Sequence, residues 1–327
     1  MRTGLIALVL ASLAAIFAAC LLGSTPMSAQ QILLALLGLG EQGDQLVVVQ
    51  IRLPRALAAF AVGAALGASG AALQGLLRNP LAEPGVLGVS ASASLAATVT
   101  LYYGLVAISA WVMPVAAISG ALVATMLIAL TALRTASAVT LILVGVGFSS
   151  FAGAVMNLLM NLAPNPFSLA DMINWMLGSV ANRSFHDLAL AAPFLVAGLL
   201  ILFIGRRGLS ALTLGEEAAS GVGLNLKRQR IFVVLGTGLA TGAAVSLAGV
   251  IGFVGIVAPH IVRSMVDHDP ARSLLPAALL AGLMLVLADI GVRIAQTSSE
   301  LKLGVVAALI GAPAFIWIAM RRRTVHD

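Results

Sequence analysis

One cysteine, Cys20, stands in 327 residues, so the chain can form no intrachain disulfide and no cysteine-based metal cluster. Charge is almost as scarce: Asp, Glu, Lys and Arg make up 9% of the residues against 61% hydrophobic, with a mean hydropathy of +1.09. Such values exclude an ordinary soluble domain and leave an all-α polytopic membrane protein. The net charge of +6 would suit nucleic acid, but the 18 basic residues are dispersed between apolar runs, as cytoplasmic loop anchors are, so no nucleic-acid partner is expected. No glycine-lysine phosphate loop occurs; Gly223-Leu-Asn-Leu-Lys227 has the wrong spacing, and the chain alone is expected to hydrolyse no nucleotide. No His-Glu-x-x-His pair occurs either, and His186, His260, His268 and His326 are scattered, which argues against a metalloprotease and against any metal site. Carboxylates in mid-membrane, the mark of ion-coupled carriers, are also few. Asp289 is the deepest, and it stands one helical turn before Arg293, its expected partner.

What is present is a series of uncharged runs. About 20 apolar residues at 1.5 Å rise cover the roughly 30 Å hydrocarbon core, and residues 4–22, 56–77, 188–205, 273–288 and 303–320 each fit one crossing. Cys20 lies in the first, after Phe17-Ala-Ala in a faint likeness to a lipoprotein processing site; an uncleaved first helix with a cytoplasmic start at Met1-Arg2 is the expectation. Pro84 to Leu133 is long enough for two spans, turned at Tyr102-Tyr103-Gly104 near Trp111 and Pro114, and 139–162 gives one more, ended by Pro164 and Pro166. Ile231 to Val262 could be one overlong helix or two short ones. Only two crossings, broken between Gly249 and Gly255, keep Arg321-Arg322-Arg323 and the 263–272 loop on the side of Arg78, Arg134, Arg206, Arg207, Lys227, Arg228 and Arg230. The expectation is therefore ten helices with both termini cytoplasmic. On the second of them Ala59, Gly63, Gly67 and Ala71 form a small-residue stripe, read as helix-packing glue.

Two features ask for more than a lipid-embedded bundle. Arg52, Arg55, Arg183, Arg293 and Lys302 fall on the outer side against the charge rule. Either they pair with Asp44, Asp187 and Glu300 or snorkel to headgroups, or they dock an acidic partner through arginine's bidentate fork. On the inner side, Leu214-Gly-Glu-Glu-Ala-Ala-Ser-Gly-Val-Gly-Leu224 is amphipathic and glycine-punctuated, followed by Lys227-Arg-Gln-Arg230. A short helix, a glycine turn and a second short helix would make a knob for a groove on a cytoplasmic partner, or a helix resting on headgroups.

Seven blocks in order then carry a resemblance: Arg52-Leu-Pro-Arg55; Gln74 with Arg78-Asn-Pro-Leu-Ala-Glu-Pro-Gly-Val-Leu-Gly88; Trp175-Met-Leu-Gly-Ser179; Leu214-Gly-Glu216; Gly252-Phe-Val-Gly-Ile-Val-Ala-Pro-His-Ile-Val-Arg263; Ala288-Asp-Ile290; and Gly311-Ala-Pro-Ala-Phe-Ile316. Together, and nearly end to end, they resemble the FecCD/BtuC-type permeases of ATP-binding cassette importers for iron complexes and cobalamin. The resemblance implies a type II importer permease fold, one transmembrane domain over residues 1–327, in the bacterial inner membrane. It implies a homodimer with the substrate path on the two-fold axis, two separate ATPase subunits that hold ATP and magnesium, a periplasmic substrate-binding protein, and no cofactor on this subunit. Arg52, Arg55 and Arg293 would dock the binding protein. Residues 214–228, with Leu214, Gly215, Glu216, Ala219, Gly221, Gly223 and Leu224, would couple to the ATPase. The helix over 139–162 would line the path with Gly145, Gly147, Ser149, Ser150 and Asn157, and a gate is expected at 137–140. The cargo is expected to be a ferric siderophore or related chelate, with haem and cobalamin as rivals. Transport that follows an ion gradient without an ATPase would mark a secondary transporter instead, and no chelate movement at all a structural or signalling protein.

Overall fold

The computed structural model describes residues 2–23, 26–85, 87–134, 138–295 and 301–321, and among these every regular element is helical. The α-helices are α1 (Arg2–Leu21), α2 (Ala29–Leu36), α3 (Gln42–Gln45), α4 (Leu53–Leu77), α5 (Val89–Tyr102), α6 (Val112–Arg134), α7 (Ala138–Asn161), α8 (Pro166–Met176), α9 (Phe185–Leu212), α10 (Glu216–Gly221), α11 (Leu226–Ala248), α12 (Val254–Val262), α13 (Pro270–Ile294) and α14 (Leu303–Arg321). A π-helical stretch, Leu46–Arg52, joins α3 to α4. Among the described residues seven helical runs are long and apolar enough to cross a membrane, and three shorter apolar ones, Val89–Tyr102, Val254–Val266 and Leu303–Ile316, are not. Length alone thus gives seven spans where the sequence leads to ten. The difference falls on α5, α12 and α14; α5, with 14 residues, rises only about 21 Å.

Glycine sets the helix pairing. A Cβ on Gly63 would run into the Ala281 carbonyl oxygen, and one on Gly67 into that of Ala277, so α4 and α13 lie backbone to backbone and antiparallel. The small-residue stripe thus packs as its sequence suggests. In the same way Gly198 meets Ala240 where α9 crosses α11, and Gly238 and Gly242 of α11 receive Thr125 and Ala121 of α6. These antiparallel contacts define two ends of the bundle. One gathers the starts of α4 and α9 with the ends of α11 and α13; it is called the Arg55 end below. The opposite, Gly223 end gathers the ends of α4, α6 and α9 with the starts of α11 and α13.

The break expected between Gly249 and Gly255 is present. α11 stops at Ala248 because Gly249 (φ 67°) leaves the helix, and α12 restarts at Val254 after Phe253 (φ 66°). Ala248 lies at the Arg55 end, where its carbonyl accepts from the Ser179 N–H at 2.7 Å. By contrast, the Gln74 amide near the end of α4 donates to the Gly255 and Ile256 carbonyls at 3.4 and 3.5 Å, so α12 runs back toward the Gly223 end. A glycine seam holds the break: a Cβ on Gly249 would strike the Trp175 carbonyl, one on Gly178 the Val250 carbonyl, and one on Gly304 the Leu177 carbonyl. The Gly304 N–H donates to the Gly178 carbonyl at 3.1 Å. Three stretches far apart in the chain therefore meet at one place, the Trp175–Ser179 block among them.

Candidate functional site

Three of the rule-breaking arginines come together at the Arg55 end. Arg55 grips Asp289 through both Nε (3.0 and 3.1 Å) and NH2 (2.8 Å), while Arg293 approaches the same carboxylate at 3.0 Å from one turn on. Arg293 also donates to the Ala19 and Leu22 carbonyls at 2.9 and 3.2 Å, and Arg52 to those of Cys20 and Leu21 at 2.8 and 3.1 Å. The carbonyls at the end of α1, which have no partners within their own helix, are thus satisfied by guanidinium groups. Asp289 is 1% exposed, and the Arg55 and Arg293 side chains 13% and 10%. The expected Asp289–Arg293 pair is there; Arg55 as its second partner is the addition. Arg52, Arg55 and Arg293 share one end of the bundle, but their forks are engaged inward rather than presented to solvent. Asp44 bonds to Gln31 instead of to an arginine, at 3.2 Å, and Glu300 lies outside the described residues. Arg183, in the connection between α8 and α9, is pulled below its ordinary pKa by burial, with Asp187 partly opposing.

The loop after α4 was not read from sequence as re-entrant. Arg78 (φ 49°) ends α4, and Gly88 (φ 75°) starts α5 beside the Gly145 carbonyl and Phe148, midway along α7. Pro84 and the Glu83 side chain pack near Gly255 at the start of α12. Glu83 thus stands where this loop meets the chain break. Its signal in the sequence was only a charge between two prolines.

The path candidates on α7 divide. Gly145 is buried against the loop, and the Ser149 hydroxyl donates to the Gly85 carbonyl at 3.1 Å. Gly147, Ser150 and Asn157 fall on the other face together with the exposed Leu143, Val146 and Leu158. The expected gate at 137–140 falls partly outside the described residues, since residues 135–137 are not among them.

At the opposite end, residues 214–228 form a knob. Gly215 (φ 100°) opens α10, and the Glu216 carboxylate holds Arg230 of α11 at 2.8 Å. α10 closes through two bonds, from the Leu224 N–H to the Ala219 carbonyl at 3.0 Å and from the Gly223 N–H to the Ser220 carbonyl at 2.9 Å. That is a Schellman closure with Gly223 (φ 90°) at its left-handed position. The expected second short helix is absent: the Asn225 side chain accepts from the Arg228 N–H at 3.0 Å and starts the 23-residue α11 directly. Ala219 is buried and Leu224 half-buried toward the core, whereas Leu214 and Val222 stand exposed at the tip, as does Gly221.

This arrangement, a bundle with a rigid knob at one end and arginines clustered at the other, can be set against known proteins. The sequence pattern of the FecCD transport family matches residues 8–321. The chain belongs to that family. Among FecCD-type relatives, it is 42% identical over 283 residues to the uncharacterized ABC transporter permease protein YvrB of Bacillus subtilis, covering 84% of this chain and 79% of that protein. It is 40% identical over 280 residues to the vitamin B12 import system permease protein BtuC of Salmonella typhi, covering 85% and 84%. Its fold superposes on a transporter classed as metal-chelate type ABC, solved in an inward-facing conformation, with a TM-score of 0.87 and 28% identity over 98% of this chain and 100% of that one. The protein is thus an integral membrane permease of the FecCD family.

Proposed function

We propose that this FecCD-family permease works as a homodimer with two separate ATPase subunits and one soluble substrate-binding protein, moving a metal chelate from the periplasm to the cytoplasm across the bacterial inner membrane. The observation that carries the reading is the knob. A six-residue helix is clamped by an ion pair and a glycine closure while two apolar side chains face outward at its tip. A rigid contact of that kind transmits displacement, which a loop resting on headgroups has no need to do. The Gly223 end is read as cytoplasmic because Arg78, Arg134, Lys227, Arg228, Arg230 and Arg272 gather there. The open face of α7, with Gly147, Ser150 and Asn157, is assigned to the path between subunits. For Arg52, Arg55 and Arg293 to dock the binding protein, an incoming carboxylate has to exchange with Asp289 and with the α1 carbonyls.

The proposed cargo is a ferric siderophore or related chelate. Cobalamin is the second reading, favoured by the relatives named for vitamin B12 import. Proteoliposomes holding the permease with its ATPase should take up one of these chelates only with ATP inside the binding-competent orientation and with the binding protein present. Uptake that follows a proton or sodium gradient without ATP would overturn the reading.

The ten-crossing topology, with α5, α12 and α14 counted as crossings, has its own test. Ser264 is exposed just beyond α12. A cysteine placed there after Cys20→Ala should react with an impermeant maleimide only once the cytoplasmic side is opened; reaction in intact cells would return α11 and α12 to a single crossing.

A further inference from the structure

A second cationic feature lies at the Arg55 end, away from the Asp289 cluster. The last turns of α8, the connection to α9 and the chain before α14 enclose an open cavity of about 340 Å³ whose wall includes Asp171, Asn174, Trp175, Asn182, Arg183 and Lys302. The Arg183 guanidinium carbon sits 5.7 Å from the centre of the Trp175 ring. Arg183 Nε and Trp175 Nε1 are both buried donors, and neither has an acceptor. The nearest carboxylate in sequence, Asp187, does not supply one: its Oδ2 accepts from the Ser184 N–H and hydroxyl, both at 2.8 Å, as the cap of α9. Among the described residues of the wall, Asp171 is the acidic one set against Arg183 and Lys302.

The wall is also preorganised. Gly178 (φ 68°) and Asn182 (φ 58°) fix the connecting loop in left-handed turns, and the Ser179 N–H and the Gly178 carbonyl tie it to Ala248 and Gly304. Two cations beside two side-chain amides on one wall call for a ligand that accepts several hydrogen bonds and carries negative charge. We propose that this cavity is a carboxylate-binding site, in which Arg183, held over Trp175, supplies one charge, Lys302 the second, and the Asn174 and Asn182 amides further donors. Its volume is near the bottom of the range of about 300–1,000 Å³ for small-molecule pockets, so it holds an acidic group rather than an entire chelate. The carboxylate comes from an acidic side chain of a docking protein or from a carboxyl arm of the cargo. The site stands on its own geometry and does not need the import reading to be correct.

The test is a binding measurement on the full-length permease in nanodiscs with Trp111→Phe and Trp317→Phe, so that Trp175 is the remaining tryptophan reporter. Glutarate should titrate Trp175 emission, while the uncharged glutaramide should not. Arg183→Gln should weaken glutarate by roughly tenfold or more, and Arg183→Lys, which keeps the charge, by less. Equal titration by glutarate and glutaramide, or unchanged glutarate affinity in a normally folded Arg183→Gln protein, would overturn the proposal. Two further ligands identify the source: tighter binding of the peptide Gly-Glu-Gly than of citrate points to a protein side chain, and the reverse order to a polycarboxylate cargo. Loss of transport with intact glutarate binding would count against the import reading and leave this site standing.

Discussion

Replacing Asp289 by alanine is expected to destabilise the folded bundle by about 3–5 kcal/mol, the range for removing one member of a buried ion pair. The size follows from what remains behind. Asp289 is 1% exposed and is the carboxylate shared by Arg55 and Arg293, so its loss leaves two desolvated guanidinium groups close together without the anion they share. Arg52, which donates to the Cys20 and Leu21 carbonyls, adds a third cation to the same end. Asn at 289 preserves shape and some hydrogen bonding and should fall between the two. The pair Arg55→Met with Asp289→Leu removes both charges of the bidentate contact and should recover much of the loss. Thermal unfolding of the solubilised permease, followed by size exclusion, reads these differences. A drop below about 1 kcal/mol for Asp289→Ala would place the cluster with exposed ion pairs of little energetic weight.

The second large effect concerns motion rather than stability. Gly223→Val should leave the permease inserted and dimeric while transport falls by roughly 5–150-fold, the range that 1–3 kcal/mol of coupling energy spans. No atom lies within 4 Å of where a Cβ at Gly223 would stand, so a side chain fits in space. The backbone is what cannot accommodate it, since φ of 90° is strained for a β-branched residue by about 1–3 kcal/mol. Relaxing that strain breaks the two closing bonds of α10 and shifts Leu214 and Val222 at the tip. ATP hydrolysis by the assembled complex should then lose its dependence on the loaded binding protein. Gly221→Ala separates strain from contact: it sits inside α10 with no neighbour within 4 Å, so folding stability should be unchanged or slightly raised, and any transport loss there reports the tip contact itself. Full transport by a normally expressed Gly223→Val protein would move the coupling contact elsewhere.

These two sites were not equally visible in the sequence. Gly223 could be found because a left-handed closure needs glycine and the local spacing announced it. Arg55 could be singled out by charge placement, but its partner lies 234 residues away, and no local pattern points to it. The Asp289–Arg293 half of the cluster was visible only because both residues share one helix face. The break in 231–262 was visible through the placement of the basic residues, which required a second crossing, whereas the shortness of α5 was hidden, because apolar residues of the re-entrant loop read like more helix. Residues 29–52 went unassigned for the opposite reason: α2, α3 and the π-helical stretch are too short and too closely joined to give a periodic signal. The expected second short helix of the knob failed because Asn225 caps α11 at once.

The seam at Gly178, Gly249 and Gly304 also orders the making of the protein. A ribosome adding about 5–20 residues per second needs about 6–25 s to travel from Gly178 to Gly304. During that interval the Leu177 and Val250 carbonyl region has no α14 to cover it, and the Gly178 carbonyl lacks the Gly304 N–H. The connection that positions Trp175 and Arg183 therefore closes only when α14 has been made, and a nascent chain carries its Arg55 end unfinished until synthesis is almost over.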